Sequence, residues 1–230
     1  MRRDAQVLIF DADDTLWENN ILFERVIDDF LDWMADPTLG RAGVRAILDD
    51  IERANAVTHG YGSVMFLRSL RDCVERLRNR PANAEEIARL DQLAAALITD
   101  RPELIPGVAE TLAELAARHR LLVLTKGAVD EQRRKLAASG LEVHFGGVHI
   151  VAEKHVEVYR DLAASLDLPL ASTWMIGNSP KSDILPARAA GLGAVFIPNA
   201  NTWVLESDEL DAGDTGVLTL AKFPELLEHF

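Results

Sequence analysis

The feature that most constrains this chain is a short apolar run that ends on a cluster of carboxylates. The run Val7–Phe10 predicts a buried strand, and Asp11, Asp13 and Asp14 follow it directly. Like charges this close resist burial, so we expect them to bind a ligand rather than to serve packing. A divalent cation would relieve the repulsion, and the carboxyl ends of strands are where open α/β sheets bind ligands. The alternative is an acidic turn in which Asp14 or Thr15 caps the next helix.

Strands and helices alternate in the second part of the chain. The pattern predicts strands over residues 121–124, 148–151, 173–176 and 194–197, and helices over 107–119, 129–139, 155–166 and 182–190. Such alternation implies a parallel sheet with helices on both faces. The first strand must belong to the same sheet, because it cannot be buried alone.

Four amphipathic helical stretches separate the first strand from this alternating region. Their apolar stripes are Leu22, Val26, Phe30 and Met34; Val44, Ile47, Leu48 and Ile51; Phe66, Leu67, Leu70, Cys73, Val74 and Leu77; and Ile87, Leu90, Leu93, Leu97 and Ile98. Asn83 and Glu86 have the spacing of a capping box at the start of the fourth helix. We therefore expect an α/β core domain of residues 1–16 and 101–230 and an inserted helical-bundle domain of residues 17–100.

The composition is that of an ordinary globular protein, with 230 residues of which 48% are hydrophobic and 27% charged. The formal net charge of −13 argues against nucleic acid or an anionic membrane as the main partner. The single cysteine, Cys73, excludes an internal disulfide and suits a reducing cytosol, so a cytoplasmic location is expected. Its neighbours place it on the apolar face of a helix, in the core. No apolar run is long enough to span a membrane.

Three further strand ends carry polar residues. In Thr125-Lys126-Gly127 a hydroxyl and main-chain N–H groups could hold a phosphate, although an ordinary turn has the same composition. Lys154 enters a helix, where a solvated surface charge is the alternative. Asn178 and Asp183 flank a turn and offer oxygens suited to Mg²⁺, or else they serve turn formation and helix capping.

The order of these residues is more specific than any one of them. An aspartate pair, a threonine, a lysine and an Asn/Asp pair, each at the end of a strand, resemble the haloacid dehalogenase superfamily of aspartate-nucleophile hydrolases. Residues 11–15 match the first motif of that family and residues 177–183 the fourth. The resemblance covers nearly the whole chain. It implies a doubly wound parallel sheet with a Rossmann-like core and a helical C1-type cap inserted after the first motif.

The resemblance also implies a role for each catalytic residue. Asp11 would attack phosphorus and form an aspartyl-phosphate. Asp13 would protonate the leaving alkoxide and then activate water, which requires its pKa to be raised relative to that of Asp11. Lys154 would pair with Asp11 and with the phosphate and so stabilise charge in the transition state.

The phosphate and the metal would be held by the remaining motif residues. The hydroxyl of Thr125 and the N–H groups of Lys126 and Gly127 would bind phosphoryl oxygens. Mg²⁺ would bridge the nucleophile and the phosphoryl group. Its ligands would be Asp11, the main-chain carbonyl of Asp13, and Asn178 and Asp183, directly or through water.

The expected activity is Mg²⁺-dependent hydrolysis of a small phosphomonoester, such as a sugar phosphate, phosphoglycolate or a nucleotide. Dehalogenases of the family use no metal and lack the acidic residue at the position of Asp13, so a 2-haloacid dehalogenase is the less favoured alternative. Asn178 replaces a carboxylate of the family pattern, which leaves a catalytically weak binding or regulatory protein as another alternative. A phosphoryl-transferring mutase is a further variant.

Candidate contacts to the substrate's leaving group lie beyond the catalytic loop. They are Trp17, Glu18, Asn19 and Asn20, just after the acidic stretch, and His59 and Tyr61 in a loop of the cap. Hinge packing for the tryptophan, helix capping for the two asparagines and a plain turn around His59 are the alternatives.

Overall fold

The computed structural model describes residues 3, 5–95, 97 and 101–230. The chain divides into two compact units, a core unit formed by Met1–Asn20 and Arg101–Phe230 and a helical unit formed by Ile21–Asp100. The core unit is thus assembled from two separate parts of the chain, and the helical unit is one continuous insertion between them.

The core unit contains a six-stranded parallel sheet. Its strands are β1 (Val7–Phe10), β2 (Arg120–Lys126), β3 (Val148–Val151), β4 (Thr173–Gly177), β5 (Gly193–Phe196) and β6 (Val217–Thr219). Their order is β3-β2-β1-β4-β5-β6, and every neighbouring pair is parallel. The prediction of a parallel α/β sheet is confirmed. Strand β6 was not predicted, because its three residues carry too short a pattern to recognise, and β2 extends two residues beyond its predicted end.

Both faces of the sheet are covered. Along β1, Leu8 and Phe10 pack into one apolar cluster, and Val7 and Ile9 pack into a second cluster on the opposite face. The first cluster is completed by residues of α5 (Val108–Ala116), α6 (Val129–Ser139) and the C-terminal segment. The second is completed by residues of α7 (Val156–Ser165) and of α8 (Leu185–Ala189) with its flanks.

The strand order determines where the polar strand ends meet. β1 lies between β2 and β4, and the direction of chain progression reverses at β1, so this is the switch point of the sheet. Loops that leave neighbouring strands at such a point separate and open a crevice at the carboxyl edge. Because β1 and β4 are neighbouring strands, the acidic loop after β1 and residues 178–183 after β4 begin next to each other at this edge.

The helical unit is built from four helices around its own apolar core. They are α1 (Asn20–Trp33), α2 (Gly40–His59), α3 (Ser63–Arg78) and α4 (Ala84–Ala95). Phe30, Leu48 and Leu70 are fully buried there together with Cys73. Burial raises the pKa of the Cys73 thiol to about 12, so the residue is an inert core side chain, as expected. Ile98, the last residue of the predicted fourth stripe, lies outside the described residues.

The fourth helix begins at the predicted capping box. The N–H of Glu86 donates to Asn83 Oδ1 at 2.9 Å, and the N–H of Asn83 donates to Glu86 Oε2 at 2.8 Å.

None of the described helices is both long and apolar enough to cross a membrane.

Candidate active site

A buried lysine joins two carboxylates from different strand ends. Lys154 Nζ lies 2.5 Å from Asp11 Oδ1 and 2.8 Å from Asp183 Oδ1. Asp11 follows β1, Lys154 follows β3 and Asp183 follows β4, and the side chains of Lys154 and Asp183 are each 1% exposed. The fold therefore gathers three of the residues singled out in the sequence into one contact network, which excludes a surface location for Lys154.

Burial and neighbouring charge act in opposite directions on the pKa values of Asp11 and Lys154. Burial raises the pKa of Asp11, and the Asp183 charge adds to this, although Lys154 acts in the opposite direction. Burial alone would lower the pKa of Lys154, but the two carboxylates hold it above its usual value. The lysine thus stays protonated, while the pKa of Asp11 is raised to about 7.

Thr15 joins the acidic loop to the turn after β4. Its hydroxyl lies 3.0 Å from Asp11 Oδ2 and 3.1 Å from Asn178 Oδ1. Asn178 Nδ2 donates to Thr202 Oγ1 at 2.8 Å, which fixes the orientation of the amide. A hydroxyl carries a single hydrogen, so it can satisfy only one of the two acceptor oxygens at a time. Two oxygens that could ligate a cation therefore lie beside each other with one donor between them.

The carboxylate of Asp13 accepts hydrogen bonds from three side chains. Its Oδ1 accepts from Trp17 Nε1 at 2.7 Å, its Oδ2 accepts from Gln132 Nε2 at 2.7 Å, and Lys135 Nζ lies 3.0 and 3.1 Å from the two oxygens. Burial alone would raise the pKa of Asp13, but the charge of Lys135 and these hydrogen bonds lower it below its usual value. The sequence-based expectation that Asp13 has the higher pKa of the two aspartates is wrong for this arrangement, because α6 supplies a cation that the motif does not reveal.

Asp14 has the structural role that was considered as the alternative. Its φ is +61°, and its Oδ1 accepts hydrogen bonds of 2.9 Å from the N–H groups of Asn19 and Asn20 at the start of α1. Asn20 Nδ2 donates to the carbonyl of Asn201 at 2.7 Å. The helix-capping interpretation of Asp14 is therefore confirmed, and the side chain of Asn20 is used within the core unit.

Trp17 packs beneath the acidic loop. It is 1% exposed, and its indole nitrogen donates to Asp13. The one polar atom of its side chain is thus used by Asp13, and its ring belongs to the apolar cluster around Leu8 and Phe10, so these contacts agree with the packing interpretation.

One of the three predicted donors to the phosphate, the N–H of Gly127, is already used within the sheet. Thr125 and Lys126 are the last residues of β2 rather than part of a turn, and Thr125 is 3% exposed. The N–H of Gly127 donates to the carbonyl of Val151 at 3.1 Å, so it is already used by the sheet. The N–H of Arg120 donates to the β1 side of β2, and because successive N–H groups alternate, that of Lys126 points to the same side, where β1 has ended.

The side chain of Lys126 is directed to a buried glutamate that the sequence analysis did not single out. Lys126 Nζ lies 2.5 Å from Glu206 Oε1 and 3.0 Å from Ser182 Oγ. Burial would raise the pKa of Glu206, but Lys126 and the hydroxyls of Ser179 and Ser182 lower it. Glu206 is therefore an ionised residue at the edge of the site.

His59 and Tyr61 belong to the helical unit. His59 is the last residue of α2 and is exposed, and Tyr61 lies in the loop between α2 and α3.

No group of three or more His, Cys, Asp or Glu side chains suited to a metal ion occurs among the described residues. Any metal bound here would therefore depend on amide or main-chain oxygens as well as carboxylates.

Three residues of the site were missed by sequence reasoning. Gln132 and Lys135 lie one turn apart on α6, and this spacing on the helix that follows the threonine motif was the available signal. Glu206 carries no such signal, because its partners lie 24 to 80 positions away in the chain.

Comparison with known proteins identifies the family. A model of haloacid dehalogenase-like hydrolases matches residues 5–191. A phosphoserine phosphatase of Thermus thermophilus is 32% identical over 140 residues, which are 56% of this chain and 53% of the relative, so the match spans about half of that protein. A haloacid dehalogenase-like hydrolase of Xanthomonas campestris is 25% identical, with a TM-score of 0.81 over 98% of this chain and 96% of that one. The L-2-haloacid dehalogenase of Xanthobacter autotrophicus, 17% identical with a TM-score of 0.64 over 97% of both chains, shares the fold. This chain belongs to the haloacid dehalogenase-like hydrolases.

Proposed function

We propose that this hydrolase is a Mg²⁺-dependent phosphatase that cleaves a small phosphomonoester through an aspartyl-phosphate on Asp11. The observation that carries the proposal is the contact of Lys154 with Asp11 and Asp183 at the carboxyl edge of the sheet. A buried, protonated lysine beside the nucleophile suits attack on a dianionic phosphate, because it opposes the rise in the pKa of Asp11 that burial causes and offsets charge on the phosphoryl oxygens.

Asp11 is oriented for the role of nucleophile. Its Oδ1 is bound by Lys154 and its Oδ2 by the hydroxyl of Thr15, so the carboxylate has a fixed direction before substrate arrives. Preorganisation of this kind removes part of the entropic cost of bringing nucleophile and phosphorus together. The hydroxyl of Thr125 and the N–H of Lys126 are the proposed donors to the phosphoryl oxygens, and Gly127 contributes the turn rather than a donor.

Asp13 is the proposed acid and base. Its lowered pKa suits the second half of the reaction, in which an ionised carboxylate takes a proton from the water that attacks the aspartyl-phosphate. The first half requires a protonated Asp13 when the leaving group is an alkoxide, because an alkoxide is too basic to leave without a proton. An aryl phosphate has a good leaving group, so we expect it to be cleaved without help from an acid.

The donor set fits Mg²⁺. Asp11 Oδ2 and Asn178 Oδ1 share the single hydrogen of Thr15, which leaves one acceptor unsatisfied, and an oxygen without a donor can bind a hard cation. Each oxygen of Asp183 has a donor that it does not share with Asp11 Oδ2 or Asn178 Oδ1: Lys154 for Oδ1 and the N–H of Ser179 for Oδ2. Asp11, the main-chain carbonyl of Asp13 and Asn178 are therefore the proposed direct ligands, with Asp183 supporting the site. When bound, the cation supplies charge neutralisation between nucleophile and phosphate.

The helical unit is the proposed cap that selects the substrate. It is inserted directly after the acidic loop, and α1 begins at the residue whose N–H is capped by Asp14. His59 and Tyr61 remain candidate contacts to the leaving group. A cap at such an insertion point excludes water and contacts the part of the substrate beyond the phosphate.

Phosphate release from p-nitrophenyl phosphate, with and without Mg²⁺, tests the proposal. We expect metal-dependent release by the wild-type protein, its loss in Asp11→Asn, and wild-type activity in the matched control Asp91→Asn, which changes an exposed residue of α4. A panel of phosphomonoesters that includes phosphoserine and phosphoglycolate then ranks substrates. Full activity in Asp11→Asn would exclude the mechanism, and metal-free release of chloride from 2-chloropropionate would favour a dehalogenase instead.

A further inference from the structure

Glu206, in the segment after β5, is a buried glutamate that contacts the end of β2 and the loop after β4. Glu206 ends a short 3₁₀ turn, Val204–Glu206, and is 8% exposed. Its Oε1 lies 2.5 Å from Lys126 Nζ, and its Oε2 accepts from Ser179 Oγ at 2.7 Å and from Ser182 Oγ at 2.5 Å. Both of its carboxylate oxygens are thus used by residues from elsewhere in the chain.

Each partner of Glu206 is next to a residue proposed to act in the reaction. Lys126 follows Thr125 and presents its own N–H at the end of β2. Ser182 precedes Asp183, and the N–H of Ser179 donates to Asp183 Oδ2 at 3.0 Å. One carboxylate therefore connects the end of β2 with the loop after β4.

The network continues through the hydroxyls. Ser179 Oγ accepts from the N–H of Ser182 at 2.9 Å while it donates to Glu206, and Ser182 Oγ accepts from Lys126 Nζ at 3.0 Å while it donates to Glu206. Each of these donors meets an acceptor, and Ser179 Oγ also lies 3.2 Å from the main-chain carbonyl oxygen of Glu206. A well-packed apolar side chain at this position could support stability as well as an ion pair does, so packing alone does not account for the glutamate.

We propose that Glu206 is a positioning residue that holds the phosphate-binding end of β2 and the Asp183 turn in register through Lys126, Ser179 and Ser182. The expected loss of catalytic efficiency on mutation of Glu206 rests on the proposed function. The expected loosening of the two chain segments does not. Without the carboxylate, the ammonium of Lys126 keeps a longer contact of 3.4 Å with Glu153, and the end of β2 loses its ionic link to the Asp183 turn.

The test compares Glu206→Gln and Glu206→Asp with the wild type and with Glu209→Gln, the same change at an exposed position of the same segment. For Glu206→Gln we expect kcat/KM for p-nitrophenyl phosphate to fall about 10- to 50-fold, mainly through KM. The dissociation constant of inorganic phosphate, measured by calorimetry in the presence of Mg²⁺, should rise in parallel. Glu206→Asp restores the charge with a shorter reach and should recover part of the loss.

Amide hydrogen exchange in the intact protein provides a readout that does not need turnover. Residues 123–128 and 178–184 should exchange about 10-fold faster in Glu206→Gln than in Glu209→Gln, with both variants melting near the wild-type temperature. A lower folded fraction would reduce kcat and leave KM and phosphate affinity unchanged, and that result would overturn the proposal. Exchange at both loops equal to that of the control would also overturn it. If the wild type cleaves no phosphate ester, the proposed function fails, and the exchange experiment still decides the role of Glu206.

Discussion

Lys135 Nζ lies 3.0 and 3.1 Å from the two carboxylate oxygens of Asp13. The ammonium also donates to Asn19 Oδ1 at 2.8 Å, so α6 is joined to the loop that leads into α1. The pair is largely shielded, with side-chain exposures of 18% for Lys135 and 23% for Asp13. In such surroundings an ion pair is weakly screened, and loss of one partner leaves a charge that neither water nor protein fully compensates.

The first prediction concerns this pair. Lys135→Met should lower the free energy of unfolding by about 1–3 kcal/mol, because it leaves the Asp13 carboxylate without its cation. Asp13→Asn in the same chain should recover part of the loss, with a coupling energy of about 1–2 kcal/mol in a double-mutant cycle. Urea unfolding of the four proteins measures these values.

Lys222→Met is the matched control for the cycle, since Lys222 is an exposed lysine of the core unit. It should change the unfolding free energy by less than about 0.5 kcal/mol. Additive effects of Lys135→Met and Asp13→Asn would show that the contact contributes nothing to stability.

The second prediction concerns Gly177, the last residue of β4. A Cβ at this position would lie 2.1 Å from Asp183 Oδ2 and 2.7 Å from Asp183 Cβ. Gly177→Ala must therefore displace Asp183, and with it the contact to Lys154. Displacement of about 1 Å near a reacting centre is enough to reduce kcat roughly 100-fold, measured on p-nitrophenyl phosphate.

Gly146→Ala is the control for this substitution, because a Cβ there would meet only the carbonyl oxygen of Leu121, at an ordinary 3.7 Å. That variant should keep activity within about twofold of the wild type. A fully active Gly177→Ala protein would mean that the position of Asp183 is not required.

The parts of the fold and site that could be predicted from the sequence are those with a local pattern. The apolar run before Asp11 has a strand's length, and alternating elements after residue 100 fixed the parallel sheet, so Asp11, Lys154 and Asp183 could be assigned to one edge. Asn83 and Glu86 have a spacing that specifies their contact directly.

What could not be predicted depends on contacts between distant residues. The low pKa of Asp13 is caused by Lys135, which lies 122 positions later, and no pattern around Asp13 indicates it. The use of the Gly127 N–H by Val151 depends on β2 extending two residues further than its apolar run. Glu206 was overlooked for the same reason, since a single acidic residue in a polar segment resembles any solvated surface charge.

The third prediction concerns Glu52 in the helical unit. Its Oε2 is buried without a hydrogen-bond partner, and the nearby Arg45 donates to Glu24 and Asp49 instead. Burial raises the pKa of Glu52 from 4.5 to about 7, although Arg45 acts against this. The unfolded chain therefore releases this proton at a lower pH than the folded chain.

The sign of the effect follows from this difference. The contribution of Glu52 to stability is fully present below pH 4.5 and is lost as the pH rises to about 7, a loss of roughly 3 kcal/mol. Glu52→Gln should remove this dependence and make the helical unit more stable than the wild type at pH 8. Urea unfolding followed at Trp33 by ¹⁹F NMR of fluorotryptophan-labelled protein reports on this unit.

Glu85→Gln, at an exposed position on α4, should leave the pH dependence of unfolding unchanged. A Glu52→Gln protein whose stability at pH 8 equals that of the wild type would show that Glu52 is ionised at little cost in the folded unit.

The fourth prediction concerns Asn178 and separates a metal effect from a structural one. Asn178→Asp adds a carboxylate beside Asp11 and Thr15, so without metal the repulsion should lower the melting temperature. With Mg²⁺ the same carboxylate is a charged ligand, and affinity about tenfold higher would add up to about 1.4 kcal/mol of ligand-induced stabilisation. The melting temperature should therefore rise more steeply with Mg²⁺ concentration than in the wild type, whereas Asn79→Asp in the helical unit should leave the slope unchanged. If Mg²⁺ stabilises Asn178→Asp and the wild type equally, Asn178 is not a ligand, and Asp183 becomes the candidate for direct coordination.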